Sequence, residues 1–443
     1  MKQAKAACRC YCSARVAKRY ARCPPPPVLT PNGCLSFIPS SHPPMPINHL
    51  TQELPAYPFQ RLRNLLDPIT PSHNGAPLNL TIGEPQGVPP AWMNDIITEN
   101  AHLWGKYPPV DGTPEYRQAC KNWLTRRYGH AAEAIDPERQ ILAVPGTKET
   151  LYFLADFLTP KNQPGAASPP LALLPNPAYM VYEGAGVMAG AKLHYLPATA
   201  ETGFLPDLEA IPADVMDQAA FMYLCTPSNP EGAAADVAYL KRAIELARQH
   251  DFVLIADECY ADVYLGDAPP DGAVQAAGGD FTNLIICHSL SKRSNAAGLR
   301  AGFILGDPAL IGAFKGLRSY GAAVMPLPLV AAATALWDDD AHAAEIRQGY
   351  RDRFAIAHDA LKDVTDWKIP AGGFFAWLNV GDSLAITEKL WRDQGLRVLP
   401  GAFLGKDSPD GTNPGASYIR VALVHDLATI EEAMGRLKAV LAG

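Results

Sequence analysis

Between about residue 140 and residue 290 the chain repeats one pattern: a short apolar run, a polar signature, then a segment of helical spacing. The apolar runs are Ile141–Val144, Leu171–Leu174, Phe221–Cys225, Phe252–Ala256 and Leu284–Cys287. Runs this short and this continuously apolar read as strands buried on both faces, as in parallel sheets. After the first run, Leu151, Leu154, Ala155 and Leu158 fall on one helical face. Between the third and fourth, Val237, Leu240, Ile244 and Ala247 form a second stripe, which Asp236 is placed to cap. Strands alternating with helices predict an α/β fold with a mostly parallel sheet wrapped by helices.

The polar signatures all stand directly after the strands. They are Gly146-Thr147-Lys148, Asn176-Pro177-Ala178-Tyr179, Thr226-Pro227-Ser228-Asn229-Pro230, Asp257-Glu258-Cys259-Tyr260 and Ser289-Leu290-Ser291-Lys292. Open α/β sheets bind ligands at the carboxyl ends of their strands, so these groups are expected to meet in one crevice.

Beyond about residue 325 the texture changes. Helical segments near 328–363 lead to a strand at Phe374–Leu378, and a last strand, Ser417–Val424, precedes a C-terminal helix. Residues 95–325 therefore read as a large domain. Residues 326–443 read as a smaller α+β domain, with the proline-rich stretch 45–94 packed on it.

The first 44 residues carry Lys2, Lys5, Arg9, Arg15, Lys18, Arg19 and Arg22, no acidic residue, and the prolines Pro24 to Pro27. Such a segment buries little apolar surface and is expected to be disordered. It is basic and acid-free like a transit peptide but poor in serine, and no apolar segment of a secretory signal follows. The reading taken here is that Met45 is the natural start.

Five of the nine cysteines lie in this extension, without a second ligand cluster at zinc-site spacing, so no metal is expected. The scattered Cys120, Cys225, Cys259 and Cys287 read as buried thiols of a cytoplasmic protein. A formal charge of −7 gives no footprint for nucleic acid, and no apolar run is long enough for a bilayer.

Lys292 follows a buried strand and a hydroxyl-bearing turn, and Arg300 comes eight residues later, beyond Gly298. This suits an amine that condenses with an aldehyde cofactor while Ser289, Ser291 and an arginine hold a phosphate. The competing reading is a surface lysine. Asp257 closes an apolar run, a costly place for a carboxylate without a partner. A protonated ring nitrogen is such a partner; a helix cap or a salt bridge is another. Gly146-Thr147-Lys148 opens a helix, whose amides and positive end suit an anion. In Tyr418-Ile419-Arg420-Val421-Ala422-Leu423, alternation sends Ile419, Val421 and Leu423 one way and Arg420 the other. Arg420 then either pairs with a substrate carboxylate or makes a structural ion pair.

From about residue 54 to the C-terminus the chain resembles the fold-type-I pyridoxal-phosphate aminotransferases of class I/II. Its string Ser291 to Phe303, Ser-Lys-Arg-Ser-Asn-x-x-Gly-Leu-Arg-x-Gly-Phe, is similar to the N-succinyldiaminopimelate aminotransferases of bacterial lysine synthesis. The resemblance implies pyridoxal 5'-phosphate as cofactor, with Lys292, Asp257 and Tyr260 as catalytic residues. Asn229 and Tyr260 would bond the cofactor's phenolic oxygen, and Tyr179 would stack on its ring, with a turn and a core tyrosine as the bland alternatives. Gly146, Thr147, Lys148 (mainly through its backbone), Ser289, Ser291 and Arg300 would cradle the phosphate.

Tyr107, in Lys106-Tyr107-Pro108-Pro109, resembles the segment that reaches a neighbouring subunit's phosphate, which implies a homodimer with composite sites; a surface loop is the alternative. Gly83, Asn229 and Arg420 would bind the substrate's α-carboxylate end. Arg293 and Asn295 stand nearby as candidates for a distal-acid clamp, with a surface position the alternative for Arg293.

The implied activity is transfer of an amino group between glutamate and N-succinyl-2-amino-6-oxopimelate. The rivals are an aspartate- or alanine-type aminotransferase or β-lyase of the same fold. A non-catalytic sensor is more remote, because residues 1–53 are too short and proline-rich for a helix-turn-helix module.

Overall fold

Seven strands form the main sheet: β1 (Ile141–Val144), β2 (Leu171–Asn176), β3 (Lys192–Pro197), β4 (Ala219–Cys225), β5 (Val253–Asp257), β6 (Leu284–Ser289) and β7 (Gly302–Gly306). Their spatial order in this computed structural model is β1-β7-β6-β5-β4-β2-β3. The structure describes residues 47–160, 169–408 and 410–443. The basic extension over 1–44, its cysteines and Met45 lie outside the described residues.

Strand pairs β2/β3, β2/β4, β4/β5 and β5/β6 are parallel, whereas β7 runs antiparallel to both β6 and β1. The sheet is therefore mostly parallel, as the alternation predicts. Side chains alternate between its faces. Leu173, Leu254, Ile286 and Leu305 enter one core, Leu174, Ile255, Ile285 and Ile304 the other, and all eight are fully buried. Helices Pro114–Tyr128, Val237–Gln249 and Leu327–Asp338 supply the first core; Thr147–Leu158, Met180–Ala189 and Pro308–Gly321 supply the second. The Asp236 carboxylate caps its helix by accepting from the Tyr239 amide at 2.7 Å.

Two strands escape the apolar-run reading. β3 is an edge strand with largely half-exposed side chains, so it carries no continuous apolar signature. β7 is a five-residue stretch between two glycines. A Cβ at Gly302 would stand 2.6 Å from the His288 carbonyl oxygen, so glycine is what allows β7 to lie against β6 at this point.

A second sheet of Leu399–Pro400, Tyr418–Ala422 and Phe375–Asn379 is antiparallel, with Arg420 opposite Trp377. Helices Ala341–Leu361 and Leu427–Leu441 cover one side of it, burying Ile419, Val421 and Leu423 against Phe354, Leu361 and Met434. Leu78–Asn79 pairs in parallel with Leu396–Arg397. Among the described residues no helix is long and apolar enough to cross a membrane.

Candidate active site

The reversal of β7 organises the site. β1, β2, β4, β5 and β6 point the same way, so their carboxyl ends share one rim. β7 runs back from that rim, with Gly302 opposite both Val144 and Ser289. The segment that enters β7, carrying Arg300, thus lies beside the exits of β1 and β6. A cavity of about 460 Å³ opens there.

Lining it are Gly83, Thr147, Lys148, Tyr179, Asn229, Asp257, Tyr260, Ser291, Lys292, Arg300 and Arg420, so eleven of the residues singled out by sequence converge on one space. Gly146 and Ser289 do not line it, but the first adjoins Thr147 and the second is hydrogen-bonded to Ser291. Tyr107 is fully exposed and does not border the cavity of its own chain.

One end of the cavity suits an anion. Helix Thr147–Leu158 starts there, with Gly146 as N-cap at φ +84°, so its first amides face the space. A side chain at Gly146 would collide with the Arg300 guanidinium. That guanidinium is set by bonds to the Ala297 carbonyl at 2.8 Å and the Pro145 carbonyl at 3.3 Å. Ser289 Oγ donates to Ser291 Oγ at 3.0 Å and accepts from the Ser291 amide at 3.1 Å.

Asp257, at the end of β5, is 2% exposed, and burial raises its pKa above the ordinary range. Tyr182 Oη donates to its Oδ2 at 2.8 Å, and the Cys259 amide donates to its Oδ1 at 3.3 Å. Lys292 Nζ lies 5.5 Å from the centroid of the Tyr260 ring, which packs edge-on against Phe374. Burial holds the Tyr260 hydroxyl well above its usual pKa, so it enters the site as a neutral donor.

Arg420 reaches the cavity from the second sheet. Its Nη1 donates to Asn229 Oδ1 at 3.0 Å, its Nη2 to the Thr81 carbonyl at 2.9 Å, and its carbon sits 4.1 Å over the Phe375 ring. Its Nε is buried with no hydrogen-bond partner among the described residues. Desolvation lowers its pKa to about 10, which leaves it charged at neutral pH. Gly83 is packed so closely on Phe375 that a side chain there would overlap the ring.

Arg293 corrects the sequence reading, since it neither borders the cavity nor lies at the surface. It is 4% exposed, pairs with Asp262 and Asp340 at 2.7 Å each, and sits within 6 Å of the Trp123 and Trp337 rings. Asn295, in the left-handed region at φ +49°, also lies outside the cavity wall, against Gly87.

Sequence reasoning passed over Tyr57, Phe59 and Phe375, which line the same space, and Tyr182, which holds Asp257. The available signal for Tyr182 was its place three residues after Tyr179, the residue that caps its helix. Beside Asn229-Pro230, Glu231 is buried, with Oε1 unpartnered among the described residues, and burial raises its pKa to about 8.

The sequence profile of the family described as aminotransferase class I and II matches residues 76–437. A 4-dedimethylamino-4-oxo-anhydrotetracycline transaminase of Streptomyces rimosus is 32% identical, over 87% of this chain and 99% of its own length. An LL-diaminopimelate aminotransferase of Syntrophobacter fumaroxidans is 30% identical, over 87% of this chain and 96% of its own. Among solved structures, an aminotransferase of Neisseria meningitidis matches with a TM-score of 0.84 at 36% identity, covering 89% of this chain and 99% of that one. A probable N-succinyldiaminopimelate aminotransferase of Thermus thermophilus matches with a TM-score of 0.74 at 26% identity, covering 86% of this chain and 100% of that one. The chain therefore belongs to the class I and II aminotransferases, and its cofactor is pyridoxal phosphate.

Proposed function

We propose that the protein transfers an amino group between glutamate and N-succinyl-2-amino-6-oxopimelate. The observation that carries an amino-acid substrate is Arg420: a buried, charged guanidinium in the same cavity as Lys292, whose Nε–H has no hydrogen-bond partner among the described residues. A carboxylate satisfies that N–H with a charge-assisted hydrogen bond and fixes the substrate's Cα–H direction. The similarity of Ser291–Phe303 to the N-succinyldiaminopimelate enzymes, and the likeness to the Thermus structure, support the succinylated acceptor.

The residues present fit the cofactor. Arg300, the serine pair and the amides of helix Thr147–Leu158 match a phosphate, with Lys148 contributing its backbone, and buried Asp257 matches a protonated ring nitrogen. Bound there, pyridoxal phosphate supplies an electron sink for the charge left at the substrate Cα. In this reading Lys292 would hold the cofactor through its aldehyde and would carry the proton removed from the substrate Cα. Tyr260 and the amide nitrogen of Asn229 would donate to the phenolic oxygen, and Tyr179 would stack on the ring. Gly83 brings backbone close to the substrate carboxylate. Tyr107, exposed on its own chain, reaches the phosphate of a second copy in a homodimer.

A second reading is favoured by the Syntrophobacter relative: LL-diaminopimelate itself is the amino donor. The test offers N-succinyl-LL-diaminopimelate and LL-diaminopimelate separately with 2-oxoglutarate and measures glutamate. Turnover of only the succinylated compound supports the first reading, and turnover of only the free one replaces it with the second. Activity confined to aspartate, alanine or aromatic amino acids rejects both.

A further inference from the structure

Among the described residues the Tyr182 hydroxyl and the Cys259 amide donate to the Asp257 carboxylate, and the Tyr182 hydroxyl has no role in the scheme above. Its ring is clamped. It stacks on Tyr223 with centroids 4.3 Å apart and planes 11° from parallel, and meets Tyr179 edge-on at 5.7 Å. Tyr223 is itself anchored, donating from Oη to the Leu151 carbonyl at 2.5 Å. Tyr182 is fully buried, so no water competes for its 2.8 Å bond to Asp257 Oδ2.

The consequence follows from the geometry of a carboxylate. A buried carboxylate rotates about its own bond unless its oxygens are held, and it is costly to keep ionised without donors. The Cys259 amide, at 3.3 Å, is a long bond to Oδ1. Tyr182 therefore supplies the shorter of the two restraints and reaches Asp257 from a rigid aromatic stack.

We propose that Tyr182 is a positioning residue: through its hydroxyl it orients the Asp257 carboxylate toward a cofactor ring nitrogen and keeps it ionised. This rests on the assignment of Asp257 to the ring nitrogen, so the test separates the two.

Apoprotein is titrated with pyridoxal phosphate and with 1-deazapyridoxal phosphate, in which a C–H replaces the ring nitrogen, and the ratio of the two dissociation constants is taken. Wild type should prefer the nitrogen-bearing ring, and Asp257→Asn should abolish that preference; if it does not, the Asp257 assignment falls. Tyr182→Phe keeps the ring and its stacking, and should reduce the ratio by about 10-fold to 100-fold, the range of one hydrogen bond to a charged group.

A wild-type ratio in Tyr182→Phe, with the preference lost in Asp257→Asn, overturns the inference and leaves the assignment standing. Tyr182→His, a flat ring with an N–H donor, should recover part of the ratio; no recovery counts against an orienting hydrogen bond. Tyr223→Phe should lower the apoprotein's thermal midpoint and leave the ratio alone. A shift there equal to that of Tyr182→Phe makes the effect one of packing and overturns the inference. Tyr182→Met, which fills similar space without a donor, carries the same comparison if the phenylalanine variant does not fold.

Discussion

Arg420 and Asn229 are joined by one hydrogen bond, from guanidinium Nη1 to amide Oδ1 at 3.0 Å, and that bond ties the three-stranded sheet to the loop after β4. It orients both partners. With its oxygen turned to Arg420, Asn229 presents its NH2 end as a donor. Nη1 and Nη2 each spend one N–H on Asn229 and Thr81 and keep a second, while Nε is buried without a protein partner among the described residues.

Arg420→Lys removes the fork and leaves Asn229 Oδ1 or the Thr81 carbonyl without its donor. The expected result is a fall of roughly 10–100-fold in kcat/KM for amino-acid substrates, the range of a lost charge-assisted hydrogen bond. Steady-state kinetics with glutamate check it.

Lys292→Ala should cost about 10³-fold or more in transamination, in line with loss of a positioned proton carrier and covalent anchor. Its visible absorption after incubation with pyridoxal phosphate should differ from wild type, and adding glutamate should no longer bleach it. Wild-type bleaching in the variant would remove Lys292 from the reaction.

Gly146→Ala places a methyl where the Arg300 guanidinium lies and forces alanine to φ +84°. Both effects push Arg300 away from the helix start. Affinity of the apoprotein for pyridoxal phosphate should drop by about tenfold, the scale of left-handed strain in a residue with a Cβ. Fluorescence titration reads it directly.

Glu231 gives stability a pH dependence. Its folded pKa is raised from 4.5 to about 8 by burial. Below about pH 4.5 the carboxyl is protonated in both states and no penalty applies. Between 4.5 and 8 the unfolded chain has released the proton while the folded chain retains it, so folded stability declines as pH rises, by up to about 1.4 kcal/mol per unit. Urea unfolding of Glu231→Gln across pH 5 to 8 should lack this slope, and the variant should be the more stable protein at the upper end.

Arg293→Ala should weaken folding by about 3 kcal/mol, the low end for a broken buried pair because Asp262 keeps Arg127 at 3.6 Å, and should leave the preference among acidic substrates unchanged. A changed preference with intact stability would return Arg293 to the substrate pocket.

What could be read from sequence follows from what each residue depends on. β1, β2, β4, β5 and β6 were legible because strands covered on both faces must be continuously apolar. β3 lacks that signature at the sheet edge, and β7 is too short between its glycines to stand out. Asp257 and Lys292 were legible since the first closes a buried strand and the second follows one, costly places for a charge. Tyr182 was not: its bond to Asp257 spans 75 residues and exists only once helix Met180–Ala189 lies on the sheet. Arg293 misled because its environment is made by Asp262, Asp340, Trp123 and Trp337, none of them its neighbours in sequence.

The backward course of β7 makes the stretch from Lys292 to Arg300 a fixed-length tether between two stations on the same rim. Lengthening it by a single residue would shift either the amine or the guanidinium out of step with the other, however well the rest of the chain folded. Loop insertions tolerated elsewhere on this surface should fail here first.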